Sequence, residues 1–304
     1  MEEANQSVVS EFVILGLCNS WELQVFLLLI FSSLYLATTL GNIFIVVIII
    51  TDLHLHSPMY FLLANLSFID FCLSSVTTPK MITDFLNKNK TISFGGCMCQ
   101  IFSGHCFGGL EMVLLVSMAF DLYVVIGKPL QYSNIMNRHM CIGLVMTSWI
   151  IGFMHSISQL VMIVKLPFCG PKELDSFFCD IPLVIKLACK DTYILEVLIN
   201  ADSGVLAIIC FILLLISYSH ILFTVCLHSK DGVSKALSTC AAHITVVVLF
   251  FGPCIFIYLW PVSITSVDKF LAVFYAVITP LLNPVIYTLR NKEIKIATKR
   301  LLGY

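Results

Sequence analysis

The sequence predicts an all-α membrane protein, a bundle of seven transmembrane helices followed by a short amphipathic C-terminal helix. Three observations predict it. Of 304 residues, 59% are apolar and only 12% are charged, against about 45–50% and about 25% in ordinary globular domains. Seven stretches are each long enough to cross ~30 Å of hydrocarbon at ~20 residues per crossing. They contain almost no charge, and the connections between them are polar. The mean hydropathy is +0.98. A soluble single-core enzyme, a disordered chain and a fibrous protein are excluded, and so is an outer-membrane barrel, whose strands read as weak alternating segments. The net charge of −1 leaves no basic excess to hold nucleic acid.

The N-terminal segment, 1–23, has four Glu and no Lys or Arg. The C-terminal segment, 291–304, follows Arg290 and carries Lys292, Lys295, Lys299 and Arg300. Orientation follows basic residues near span ends, so the N-terminus is expected outside and the C-terminus inside. The first span lacks a basic n-region and a small-residue cleavage site and reads as an uncleaved anchor. Two glycosylation sequons agree, at Asn5, in what reads as a free tail, and at Asn89, in a short loop. A third match at Asn65 falls inside a span.

The spans are expected at about 24–51, 58–80, 97–123, 140–164, 194–227, 236–261 and 270–289, within a membrane domain 24–290. Ser57-Pro58 opens span 2 with a capping residue and a proline suited to the first helical position. Gly252-Pro253 interrupts span 6, and Pro280 and Pro284 interrupt span 7. A proline inside a helix removes one hydrogen bond and kinks it, so these are either tolerated membrane prolines or hinges of a two-state bundle.

Asp70 and Glu111 are the ionisable residues deepest in the spans. Each costs about 2.5–3.5 kcal/mol at a helix centre by insertion scales. Close together they would share a proton or hold a cation. They form either a structural polar knot or a Na⁺ or proton site, with Asn42 and Asn283 as candidate partners.

The loop at about 165–193 holds Cys169, Cys179 and Cys189, and Cys97 starts span 3 on the same side. In an oxidising compartment these pair, but four cysteines allow three connectivities. A capped mouth suggests a ligand chamber beneath. His105 lies about two turns into span 3, where it serves plain packing and hydrogen bonding, contacts a ligand in such a chamber, or binds a soft metal. In the tail, Ile294, Ala297 and Leu301 share one face and Lys292, Lys295 and Lys299 another, as in a helix lying on the inner bilayer surface. No Walker, dinucleotide-binding, nucleophile-elbow or zincin motif is present, and no cofactor other than Na⁺ is expected.

The motifs run through nearly the whole chain: Gly41-Asn42; Leu55-His56-Ser57-Pro58-Met59-Tyr60-Phe61; Met118-Ala119-Phe120-Asp121-Leu122-Tyr123; Ser217-Tyr218; Lys235-Ala236-Leu237-Ser238-Thr239-Cys240-Ala241-Ala242-His243; and Pro280-Leu281-Leu282-Asn283-Pro284-Val285-Ile286-Tyr287. In these the chain resembles a rhodopsin-like G-protein-coupled receptor of the olfactory (odorant) receptor family. The run Asp175-Ser176-Phe177-Phe178-Cys179-Asp180 resembles its family 4 group. The resemblance implies disulfides Cys97–Cys179 and Cys169–Cys189. It implies a chamber for a small volatile odorant bounded by Gly104, His105, Gly108, Gly109, Met112, Asp202, Leu206, Phe251, Cys254, Tyr258 and Tyr275. Gly104 stands where amine receptors carry Asp, which argues against a biogenic amine. The resemblance also implies Na⁺ between Asp70 and Glu111. It further implies coupling, through Asp121, Leu122, Tyr123 and Lys235, to a heterotrimeric stimulatory olfactory G protein that raises cyclic AMP. Such a protein sits in the plasma membrane and is not an enzyme. One departure stands out: Leu122 replaces the Arg of the family's Asp-Arg-Tyr motif, and leucine neither donates a hydrogen bond nor carries charge. The chain is therefore expected either to couple through its remaining inner surface or to bind odorant with weak or absent signalling.

Overall fold

A computed structural model describes residues 10–18, 20–87, 89–168, 172–228, 230–259 and 266–301. The fold is a seven-helix membrane bundle. Among the described residues, six helices are long and apolar enough to span a bilayer, and a further apolar helical stretch covers His243–Ile255. In chain order, α1 is Trp21–Thr51, α2 Pro58–Leu86, α3 Phe94–Gly127, α4 the short Tyr132–Ile135, α5 Arg138–Ile163, α6 the short Ile181–Ile185, α7 Tyr193–His228 and α8 Lys230–Leu259. The last span is composite: α9 (Ser266–Val273), a π-helical turn (Phe274–Ile278) and α10 (Thr279–Arg290). The tail helix α11 is Lys292–Leu301.

Local chemistry sets several ends. Pro58 occupies the first turn of α2, while the Ser57 side chain makes no cap bond. Ser93 Oγ accepts from the Gly96 N–H at 3.1 Å, and Asn137 Oδ1 from the Met140 N–H at 3.0 Å, each satisfying a donor that the first helical turn leaves free.

Glycines decide two crossings. A Cβ on Gly152 of α5 would lie 2.7 Å from the Cys106 carbonyl oxygen and 2.9 Å from the Leu110 nitrogen, so α3 and α5 meet backbone to backbone, as small residues permit in membranes. Ser156 Oγ donates to the Phe102 carbonyl at 2.5 Å beside this contact. A Cβ on Gly41 would lie 3.3 Å from Pro284 Cγ, which brings α1 against α10. There the ring of Pro284 supplies no N–H to the carbonyl of Pro280, four residues earlier. Asn42 Nδ2 supplies it from α1 at 3.0 Å. Asn42 is therefore a clasp between α1 and α10; the carboxylates for which it was a candidate partner are bonded elsewhere.

The sequence did not announce a small sheet at one end of the bundle. β1 (Glu11–Ile14) lies between β2 (Thr91–Ser93, antiparallel) and β3 (Glu173–Leu174, parallel). The part of the N-terminal segment from Ser10 to Gly16 is thus tied to the loops by backbone hydrogen bonds. Phe12 and Ile14 are buried, and Phe12 packs edge-on against Phe168 at 5.7 Å. Asn89 is exposed beside β2; Asn5 lies outside the described residues.

Candidate functional site

At the sheet-bearing end, the loop between α5 and α7 is bound down by covalent and polar links. Cys97 of α3 is bonded to Cys179 (S–S 2.05 Å). Gln100, one turn along α3, accepts from the Cys179 N–H at 2.8 Å and donates to the Val76 carbonyl of α2 at 3.1 Å. Cys189 is also disulfide-bonded, and the Cys189 N–H donates to the Pro167 carbonyl at 2.8 Å; Cys169 lies outside the described residues. Lys269 of α9 donates to Asp175 of the loop at 2.5 Å. Phe177 and Phe178 pack beneath, and Phe178 meets Tyr275 of the π turn edge-on at 6.5 Å. Tyr275 thus belongs to the underside of the cap.

Beneath the cap, α3 presents Gly104 and Gly108, where a Cβ would meet nothing within 4 Å, with His105 between them in sequence. Gly109, expected to bound the same chamber, lies where α3 meets α5 and α7: its Cβ would lie 3.3 Å from Gly152 Cα and from His155 Cδ2 and 3.8 Å from Leu206 Cδ2. Helical spacing explains the split, since 104 and 108 share a face that 109 leaves by about 100°. Met112, Phe251 and Cys254 are buried in one apolar cluster, with Leu206 packed on it. Phe251 contacts Phe211 and Phe250 at 6.1 and 5.3 Å. Tyr258 lies on α8, its side chain outside the described set.

Asp202 of α7 is held by a group the sequence did not mark. Its Oδ2 accepts from Ser158 Oγ at 2.8 Å, Gln159 Nε2 at 2.7 Å and His155 Nδ1 at 3.1 Å, all on α5. The His105 and His155 rings lie 5.7 Å apart. Nothing in the local pattern of α5 signals this role; it arises from the α5–α7 crossing.

In mid-bundle, Asn283 Nδ2 of α10 donates to Asp70 Oδ2 of α2 at 2.9 Å and to Glu111 Oε1 of α3 at 3.4 Å. All three residues are buried. Asp70 Oδ1, Glu111 Oε2 and Asn283 Oδ1 have no hydrogen-bond partner among the described residues. Three unpartnered hard oxygens suit a hard cation.

At the opposite end, Asp121 Oδ1 accepts from Tyr132 Oη of α4 at 3.0 Å. Burial and the neighbouring Asp121 carboxylate hold the Tyr132 phenol above its ordinary value, so it remains a donor. Leu122 is only 6% exposed and packs with Ile221 of α7 and Cys240 of α8, flanked by Ile126, Tyr218 and Ile244. Tyr218 Oη and His243 Nδ1 lie 2.6 Å apart, linking α7 to α8. Tyr123 meets His220 edge-on at 5.8 Å. The Lys235 side chain lies outside the described set. The tail helix α11 buries Ile294 and Ala297, while Arg300 reaches Asp52 at 3.2 Å and Tyr60 Oη donates to Asn291 Oδ1 at 3.1 Å.

Comparison with known proteins agrees with this architecture. Residues 31–303 match the family model described as olfactory receptor. Human olfactory receptor 4K3 is 62% identical over all of this chain and 96% of its own length. Human olfactory receptor 4F4 is 60% identical over 97% of this chain and 96% of its own length. A crystal structure of squid rhodopsin superposes with a TM-score of 0.75 at 18% identity, covering 93% of this chain and 81% of that one, which establishes the shared fold. With a family model and full-length relatives in agreement, the chain belongs to the olfactory receptor family, as a multi-pass membrane protein.

Proposed function

We propose that this chain is a plasma-membrane odorant receptor that binds a small volatile ligand under the disulfide-tethered cap and signals through a stimulatory olfactory G protein to raise cyclic AMP. In this reading the sheet-bearing end is extracellular, with a glycan at Asn5, and α11 lies on the cytoplasmic surface. The chamber draws on Gly104, His105, Gly108, Met112, Asp202, Leu206, Phe251, Cys254, Tyr258 and Tyr275. The observation that carries the reading is the open space at Gly104 and Gly108 directly beneath a cap bonded to α3 at Cys97. Small residues make room for a ligand, and surrounding aromatic and sulfur groups offer adaptable apolar contact.

Asp70, Glu111 and Asn283 would hold Na⁺, which would balance one of two buried carboxylate charges and favour the arrangement that brings α2, α3 and α10 together. Odorant binding favours the arrangement in which α8 parts from α3 and α7 at the cytoplasmic end, where Asp121, Leu122, Tyr123 and Lys235 meet the G protein. The protein then performs no catalysis itself; nucleotide exchange occurs on its partner.

The test is a cyclic AMP assay over an odorant panel, comparing wild type with Leu122→Arg at matched surface expression. Comparable responses support the receptor reading with a dispensable Arg. A response from the variant alone supports the second reading, which the apolar surroundings of Leu122 motivate: odorant binding with weak coupling.

A further inference from the structure

We infer that the chamber selects ligands whose head group donates a hydrogen bond, small alcohols and amines, because its polar wall on α7 and α5 presents acceptors. The inference rests on the odorant-chamber reading and narrows it to a chemical class.

The argument starts with Asp202. An ionised carboxylate only accepts hydrogen bonds. Its Oδ2 is used by three α5 donors, Ser158, Gln159 and His155. Its Oδ1 has no hydrogen bond among the described residues, and the Asp202 side chain is 41% exposed. A carboxylate facing hydrocarbon is costly, so such groups face the bundle interior. The helical register agrees. Leu206 is one turn from Asp202 on the same face, and its Cδ2 lies 3.8 Å from where a Gly109 Cβ would stand. That face of α7 therefore meets the face of α3 that carries Gly109 and, one turn earlier, His105, whose ring lies 5.7 Å from that of His155; Gly104 and Gly108, with their open space, stand one residue step around the helix from it.

His155 adds to the acceptor character. Its Nδ1 must carry the proton given to Asp202 Oδ2, so in the neutral ring Nε2 is a lone-pair acceptor. The donors that α5 contributes are engaged within the protein: Ser158 Oγ and Gln159 Nε2 donate to Oδ2, Ser158 Oγ also lies 2.7 Å from the His155 carbonyl, and Gln159 Nε2 also donates to Ser203 Oγ at 3.1 Å. What remains for a ligand on this wall is carboxylate oxygen and imidazole nitrogen. An aldehyde, ketone or ester offers only acceptors and so finds no partner on this wall, a donor for it being instead the N–H of the His105 ring on α3, and a ligand carboxylate would meet like charge at Asp202. An alcohol donates to Asp202 Oδ1, and an ammonium adds a charge-assisted bond. The anionic anchor that Gly104 denies to α3 is thus supplied by α7.

The experiment measures melting-temperature shifts of the purified full-length protein in detergent with hexanol, hexylamine, hexanal and hexanoate, four head groups on one carbon skeleton. Hexylamine and hexanol are expected to raise the melting temperature at concentrations about tenfold or more below those needed for hexanal or hexanoate, in line with the usual strength of a hydrogen bond to a charged group. Asp202→Asn is expected to abolish the advantage of hexylamine and to reduce that of hexanol. Equal shifts across the series, or an unchanged ranking in Asp202→Asn, overturn the inference while leaving the chamber reading intact. No shift with any probe overturns both. The wild-type ranking decides the matter alone if the variant does not fold.

Discussion

Replacing Leu122 with Ala probes whether the apolar cluster at the tail end holds the bundle closed. Leu122 is buried against Ile221 and Cys240, with Tyr218, Ile126 and Ile244 around it. Truncating a buried leucine costs about 2–5 kcal/mol, less where neighbours collapse into the space. This cluster is small and lies near the end of the helices, so the cost is expected at about 2–3 kcal/mol. If the contacts exist only while α8 rests on α3 and α7, the whole loss falls on the closed arrangement. At about 1.4 kcal/mol per tenfold, the equilibrium then moves roughly 30- to 150-fold toward the open one. Basal cyclic AMP, measured without odorant at matched surface expression, should rise clearly, while Leu122→Met, which nearly conserves volume, should leave it near wild type. A variant whose melting temperature falls as expected but whose basal signal is unchanged would refute the reasoning, because the cluster would then persist in both arrangements.

Other perturbations follow from the same geometry. Gly152→Ala places a methyl 2.7 Å from a carbonyl oxygen and 2.9 Å from a backbone nitrogen of α3; overpacking of this kind costs about 1–3 kcal/mol, read as a lower melting temperature. Asn42→Leu strands the Pro280 carbonyl, a loss of about 1–3 kcal/mol, and should speed amide exchange in α10; unchanged exchange would count against the clasp. Asp70→Asn should abolish any dependence of thermal stability on Na⁺ over K⁺, and a dependence that survives the change would place the ion elsewhere. The His54 backbone N–H, its ring and Arg300 hold the Asp52 carboxyl below its ordinary value. A depressed carboxylate stabilises the fold above its unfolded pKa, about 3.9, and loses that contribution as pH falls through the lower folded value. Docking of α11 should therefore hold from neutral pH to about 4 and weaken only below it, as read by hydrogen exchange in α11; Asp52→Asn should flatten this dependence.

Hydropathy and length alone made the spans legible, because a bilayer demands long apolar helices whatever their neighbours are. The prolines, the deep carboxylates and the cysteine-rich loop were equally visible. The polar partners of these groups were not. Asn42 and Asn283 looked alike as companions for Asp70 and Glu111, yet only Asn283 bonds them, since the Pro280 carbonyl orphaned by Pro284 claims Asn42. Leu122 gives the neighbouring Asp121 no donor, and Tyr132, beyond the turn at Pro129, supplies one. β1 is four residues long, too short for its alternation to stand out before its partners at 91–93 and 173–174 are brought together.

The sequence by itself determined the solvent of this protein, the number of its crossings and, through motifs spread over the chain, its family. Those properties are local or additive along the chain, so they survive without coordinates. Only the tertiary structure decided which glycines face open space and which close a helix crossing, what surrounds Leu122, and that three residues of α5 bond one oxygen of Asp202. Each depends on which faces of distant helices meet, and a one-residue step around a helix, about 100°, moves a side chain from one partner to another.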